Sequence, residues 1–346
     1  MSLKQFGGKA TKERITRYEA SPNWDDGKFQ NLIPTSMDMS IWDAPKLIQE
    51  RYRKRSLLAP DQPLPLKTFD ANEWEKEETC FAWYGHSALL LKLAGKTFMI
   101  DPMLGPDASP IGPMRTHRFS ENSLDVISEL PQLDAVFLSH DHYDHLDYDS
   151  IQRLRHKTAH FYTALGVGRH LEAWGVQPNQ ITELDWWGQV FINDLKVTFT
   201  PSRHFSGRGL TDRAKSLWGG WVFQTSDMSV YFTGDGGYGP HFKEVGEKLG
   251  PFDLGFVECG QYHDMWHDIH MFPEESVMAA LDAGIKRSVP VHWCGFVLAM
   301  HSWTEPVKRF RTQAAAKGVD WFTPELGEIF TTQHESKLWW RQVAEK

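Results

Sequence analysis

The sequence predicts an α+β fold in which two mixed β-sheets pack face to face with helices on their outer faces. Three observations carry this expectation. Short apolar or alternating runs of strand length fill both halves of the chain, helical patterns are interspersed among them, and imidazole and carboxylate residues recur where the strand runs end. A chain of 346 residues has room for one large core or two smaller ones. Its 41% hydrophobic and 24% charged residues exclude disordered and fibrous classes.

Residues 1–70 are rich in Pro, Asp, Lys and Asn with little periodicity, and read as an extension wrapping a main domain over 71–346. One helical pattern begins near Ser40 and places Ile41, Ala44, Ile48 and Tyr52 on one face, with Lys46, Arg51, Arg53, Lys54 and Arg55 around the rest. A peripheral contact with an anionic membrane is one reading of this segment, and a docked helix with a solvated face is the other. Asp61-Gln-Pro-Leu-Pro65 reads as a linker.

From Thr79 the pattern turns to strands. Runs at 80–84 and 87–93 flank Gly85-His86, and Ala94-Gly95-Lys96 turns the chain into 97–100, where Asp101-Pro102 stops it. Residues 105–118, with Met114, Arg115, His117 and Arg118, read as a long loop. A short helix at 124–130, a strand at 134–138 and a helix at 147–155 follow. Next come a strand near 160–163, a helix through Trp174, a strand at 180–184 and an alternating strand at 196–200 that runs into Pro201-Ser-Arg-His204. Strands at 220–224 and 229–233 lead to Gly234-Asp235-Gly-Gly237. A helix near 241–249, a strand at 254–258, the loop 259–272, a helix at 273–283, a strand at 288–292, a helix near 306–317 and a strand around 328–332 complete the chain.

The stretch with most chemistry is Leu138-Ser-His-Asp-His-Tyr-Asp-His145, which follows the buried-strand pattern directly. Residues two apart point away from each other on a helix, so His140 and His142 suit a loop leaving a strand end. There they can converge on one point while Asp144 and His145 reach a second beside it, as a site for two metal ions requires. A polar surface loop is the alternative, but imidazole and carboxylate bunched after a strand is the composition of a hydrolytic metal site. His204, Asp235 and His292 sit at three further strand ends. The expected partition gives His140, His142 and His204 to one ion and Asp144, His145 and His292 to the other, with Asp235 bridging. Two divalent ions so placed hold a shared water as hydroxide at neutral pH. Zinc leads the expectation, and the same ligand types accept manganese or iron.

Composition narrows the partners. A formal charge of −8 argues against a general nucleic-acid binder. Cys80, Cys259 and Cys294 form no CxxC pair, and no run of eighteen apolar residues occurs, so the expectation is a cytoplasmic protein that spans no membrane. Trp266 and Phe272 are the expected pocket aromatics, while Trp186, Trp187, Trp218, Trp221 and Trp293 read mostly as core.

His140, His142, Asp144 and His145 match the H-x-H-x-D-H motif, and the chain resembles the metallo-β-lactamase superfamily. Segments 130–148, Glu183-Leu-Asp-Trp-Trp187, Thr200-Pro-Ser-Arg-His204, Ser216-Leu-Trp-Gly-Gly-Trp221, Gly250-Pro-Phe-Asp253 and Val291-His-Trp293 resemble its N-acylphosphatidylethanolamine-hydrolysing phospholipase D branch. The resemblance spans about residues 78 to 332. It implies a four-layer αβ/βα sandwich, a two-zinc site and phosphodiesterase activity on a phospholipid-like substrate, with the seven ligands above carried over by motif position. His270, in Asp268-Ile-His-Met-Phe-Pro-Glu-Glu275, matches a non-ligand histidine placed over the substrate phosphate, so Asp144 and His270 are the expected catalytic side chains. Cys259-Gly-Gln-Tyr-His-Asp264 departs from the family's more apolar segment. Lactonases resembling the ascorbate-6-phosphate enzyme share the ligand set, so a small-molecule lactone or ester is the alternative substrate.

Overall fold

Fourteen strands divide equally between two sheets in this computed structural model, which describes residues 3–37, 41–109 and 116–344. The first sheet runs Ile329–Phe330, Cys80–Trp83, Leu89–Leu93, Lys96–Ile100, Leu133–Leu138, Thr158–Ala164 and Ile181–Leu184. The second runs Asp320–Trp321, Arg287–Val291, Leu254–Glu258, Ser229–Phe232, Gly220–Gln224, Leu195–Thr200 and Gln189–Ile192. Each sheet is half antiparallel meander and half parallel. In the first, the pairs from Lys96–Ile100 onward to Ile181–Leu184 are parallel. The second is parallel from Ser229–Phe232 to Asp320–Trp321. Parallel strands must be joined by crossovers, and the helices Tyr148–Leu154, His241–Leu249 and Pro273–Asp282 supply them.

Apolar side chains on the facing sides of the two sheets make the core. Phe137 of the first sheet meets Trp221 and Phe223 of the second at ring-centroid distances of 5.1 and 4.9 Å, and Phe81 meets Phe256 at 5.7 Å. All five are fully buried. Truncating such a ring to alanine typically costs about 3–5 kcal/mol, so this seam fixes how the two sheets meet. Consequently the strand ends of both sheets open along the same edge.

The chain before residue 70 is fastened to this body. Tyr18, Phe29 and Leu64 are buried in the same core cluster as the sheets, and the Arg208 and Trp174 side chains donate to the carbonyls of Gln5 and Lys4. Residues 61–65 do not hang free as a linker would, because the Leu64 N–H donates to the Phe119 carbonyl at 2.8 Å.

Several local expectations change. The helix in the extension runs Ala44–Leu58, with Pro45 in its first turn, and the face carrying Ile48 and Tyr52 turns outward. Ile48 and Tyr52 are 69% and 67% exposed, while Leu47 and Leu58 turn inward. Ser40 lies outside the described residues, as do Met114 and Arg115 of the 105–118 loop. The strand Leu195–Thr200 buries Thr198 and Thr200 as well as Val197 and Phe199, so both of its faces are covered. Gln189–Ile192 is a further strand, on the sheet edge, that its short pattern did not reveal. Among the described residues, no helix is long and apolar enough to cross a membrane.

Candidate metal centre

Candidate ligands from four chain regions meet at the carboxyl ends of the strands, where an open α/β sheet offers its loops. The strand Leu133–Leu138 ends in the 139–145 loop, Leu195–Thr200 leads to His204, Ser229–Phe232 to Asp235, and Arg287–Val291 to His292. Gly234 turns the chain into Asp235 with φ 65°, and a side chain there would stand 2.2 Å from the Gly219 carbonyl, so glycine is required.

Of the five overlapping donor groupings that result among the described residues, two correspond to the expected partition. In the first, His140 Nε2 and His204 Nε2 lie 2.9 and 3.1 Å from His142 Nδ1. In the second, Asp144, His145 and His292 are joined by His86. Asp235 stands between them, with Oδ2 2.9 Å from His145 Nε2 and 4.0 Å from His140 Nε2, and with Oδ1 3.1 Å from His292 Nδ1. All seven sequence-derived ligand candidates are therefore brought together.

The outer nitrogens of these rings determine what the inner ones present. His204 Nδ1 bonds the Ile269 carbonyl at 3.0 Å, and a carbonyl only accepts, so the proton is on Nδ1 and Nε2 turns inward as a bare lone pair. Ser139 Oγ donates its single proton to Asp101 Oδ2 at 2.5 Å and thus accepts from His140 Nδ1 at 2.9 Å, which leaves His140 Nε2 bare as well. His145 Nδ1 donates to the same Asp101 oxygen, Oδ2, at 2.8 Å, so its Nε2 faces the Asp144 and Asp235 carboxylates.

Converging lone pairs in a water-poor space repel one another unless a cation sits among them. Imidazole nitrogens about 2.0–2.1 Å from one ion stand about 3 Å apart, the spacing found in the first grouping. Neither His145 Nε2, His292 Nε2 nor Asp235 Oδ1 makes a hydrogen bond although all are buried. The donor set is thus suited to divalent cations.

The electrostatics agree. Burial, and then the neighbouring imidazoles, hold His140 and His204 well below the usual histidine range, in the neutral form a metal needs. Burial would also lower His145, but the charges of Asp235, Asp144 and Asp101 outweigh it and raise that ring far above its ordinary value. Three carboxylates around one imidazole describe a pocket short of positive charge. Backbone strain marks the same place: His86, Asp101 and His292 all adopt left-handed φ, 53°, 40° and 65°, a conformation costing about 1–3 kcal/mol each where no glycine relieves it.

A family model described as the beta-lactamase superfamily domain matches residues 96–293. The chain belongs to the metallo-β-lactamase superfamily. An uncharacterised protein of Mycobacterium tuberculosis is 39% identical over 333 residues, covering 93% of this chain and 88% of its own length. The N-acyl-phosphatidylethanolamine-hydrolyzing phospholipase D 1 of Caenorhabditis elegans is 31% identical over 288 residues, covering 78% and 81%. Among solved structures, the metallo hydrolase Igni18 of Ignicoccus hospitalis superposes with a TM-score of 0.58 at 21% identity, over 74% of this chain and 99% of that one, which establishes the fold. This chain is accordingly a metal-dependent hydrolase of the superfamily, near its N-acylphosphatidylethanolamine-hydrolysing branch.

Sequence reasoning missed four members of the site. His86, from the turn between the first two strands, bonds Asp144 Oδ2 through Nε2 at 2.8 Å, and its backbone is bridged to His292 and Trp293. Asp101 and Ser139 orient His145 and His140. Glu258 holds the ring of His270, 2.8 Å from Nδ1. Asp101 and Glu258 each end or follow a strand, the rule that found Asp235, and Asp101 was passed over because Pro102 made it read as a stop.

His270 stands beside the ligands, with ring centroid 5.0 Å from His204 and 5.2 Å from His292. It does not cap the following helix, whose cap position is Phe272. A cavity of about 370 Å³ opens over His142, Asp144, Asp235, His270 and His292. Its walls are Met37, Leu47, Phe205, Trp266, Leu298 and Met300. Trp266 lines it as expected. Phe272 does not, being turned against Tyr262 at 5.1 Å.

Proposed function

We propose that this chain is a binuclear phosphodiesterase of phospholipase D type, acting on N-acylphosphatidylethanolamine or a closely related phosphodiester. The observation that carries this reading is an apolar cavity placed directly over a site able to hold two cations. His140, His142 and His204 would hold one zinc ion, and Asp144, His145 and His292 the other, with Asp235 between them and His86 acting on Asp144. Divalent cations there supply Lewis acidity and an activated water at neutral pH.

The protein's own groups do the rest. Glu258 and His270 are drawn to a net-neutral pair: burial raises the carboxyl, and burial lowers the imidazole to about 3, so one proton is held between them. Displacement at phosphorus leaves an alkoxide that needs that proton, and His270 is placed at the cavity floor to deliver it. Met37, Leu47, Phe205 and Trp266 would keep water from the acyl portion while the phosphate reaches the polar floor. The relationship to the nematode phospholipase D supports the lipid class of substrate.

A panel of vesicles containing N-acylphosphatidylethanolamine, bis(4-nitrophenyl) phosphate and an aliphatic lactone tests the reading. Release of N-acylethanolamine with kcat/KM well above that for the lactone is expected. Lactone opening without phosphodiester cleavage would overturn it in favour of a lactonase.

A further inference from the structure

Two residues of the turn between Cys80–Trp83 and Leu89–Leu93 reach the candidate metal centre from outside the seven expected ligands. His86 Nε2 lies 2.8 Å from Asp144 Oδ2, and Ser87 Oγ lies 3.1 Å from His292 Nδ1. Asp144 and His292 both belong to the second grouping. Neither turn residue makes a hydrogen bond to the first, where His140 and His204 are held from outside by Ser139 and the Ile269 carbonyl.

The turn is built into the strand end that carries His292. The His86 N–H donates to the Trp293 carbonyl at 2.8 Å, and the His86 carbonyl accepts from the His292 N–H and from Trp83 Nε1, each at 2.9 Å. These bonds use only the backbone of residue 86, so they do not depend on its side chain. Gly85 turns with φ 83°, and a side chain there would stand 2.9 Å from the Cys294 carbonyl. The His86 ring is thereby set against His292 at a centroid distance of 4.1 Å, wholly buried, as Ser87 is.

A ring so placed can be a further ligand or a donor to Asp144, and its second nitrogen decides between them. A ligating imidazole gives its outer N–H to an acceptor, as His140, His145 and His204 give theirs to Ser139, Asp101 and the Ile269 carbonyl. His86 Nδ1 is buried and has no partner. Ligation through Nε2 would put the ring's one proton on Nδ1 and strand a buried donor. Donation from Nε2 to the Asp144 carboxylate gives that proton its acceptor.

We propose that His86 is a positioning residue for Asp144, and Ser87 for His292, so that the Gly85-His86-Ser87 turn supports one cation and not the other. The proposal rests on the two-cation reading above and adds that the two positions are unequal. Loosening the turn weakens the position made by Asp144, His145 and His292 while the three-imidazole position stays filled.

Competition for zinc between the metal-free full chain and a calibrated chromophoric chelator measures the two binding steps separately. Wild type is expected to take up two equivalents. His86→Leu should weaken one step about 10–100-fold and leave the other unchanged. His86→Gln keeps an N–H donor at about the reach of Nε2 and should recover most of that loss. Ser87→Ala removes a single hydroxyl and should weaken the same step about fivefold; it carries the test alone if His86→Leu does not fold. Equal weakening of both steps, weakening of neither, or His86→Gln binding as poorly as His86→Leu would overturn the proposal. A wild-type chain that binds one zinc ion would overturn the two-cation reading itself, and the proposal with it.

Discussion

His145 and Asp101 are joined by a 2.8 Å hydrogen bond from Nδ1 to Oδ2, with both side chains entirely out of solvent. Asp101 also accepts from the Ser139 N–H and hydroxyl, so one carboxylate orients two neighbouring metal-ligand candidates. Removing such a partner typically lowers metal affinity about 10–100-fold. Asp101→Ala is expected to do so, measured by competition against a calibrated chelator; affinity equal to wild type would remove Asp101 from the site.

His270 borders the candidate ligands, and the proposed role for it is to move a proton rather than to bind metal. His270→Ala should lower turnover of a phosphodiester about a hundredfold or more while leaving metal content unchanged. Loss of metal in that variant would make it a ligand and redraw the partition.

Acid should destabilise the metal-free protein well before its carboxylates titrate. Burial lowers His142 and His170 to about 4 and His241 to about 3. Below about pH 6.5 the unfolded chain takes up protons on these residues that the folded protein refuses, so stability falls as pH drops from 6.5 toward 4. His145 runs the other way, its contribution being complete below pH 6.5 and lost as pH rises through its raised folded value, and so do the Asp235 and Glu258 carboxyls, which burial raises; the lowered imidazoles outnumber these three groups. The expected outcome is a Tm lower by about 10 °C or more at pH 4.5 than at pH 7, with a smaller fall for the metal-loaded form, in which coordination keeps the rings unprotonated. Equal pH dependence of the two forms would contradict this.

Much of the fold was legible because strand runs and turns are local signals. The convergence of candidate ligands at strand ends was legible for the same reason: His204, Asp235 and His292 each follow an apolar run, and the 140–145 motif is contiguous. What escaped depends on pairing across the chain. His86 sits in a turn that gains meaning only when its backbone bridges to Trp293, and Glu258 reads as an ordinary strand residue until His270 folds back over it. In the helix Ala44–Leu58 periodicity reports a stripe without saying what covers it, which is why a docked helix and a membrane-facing one were both open. Leu47 and Leu58 face the body, and Ile48 and Tyr52 face out.

Residues far apart in sequence are proposed to hold a pair of cations beside a substrate cavity. Elemental analysis of the purified chain, with hydrolysis of bis(4-nitrophenyl) phosphate assayed on the same sample before and after chelation, tests it most directly. The expected result is two equivalents of divalent metal per chain, with activity lost on chelation and restored by zinc. A single tightly held ion, or hydrolysis that survives complete removal of metal, would contradict it.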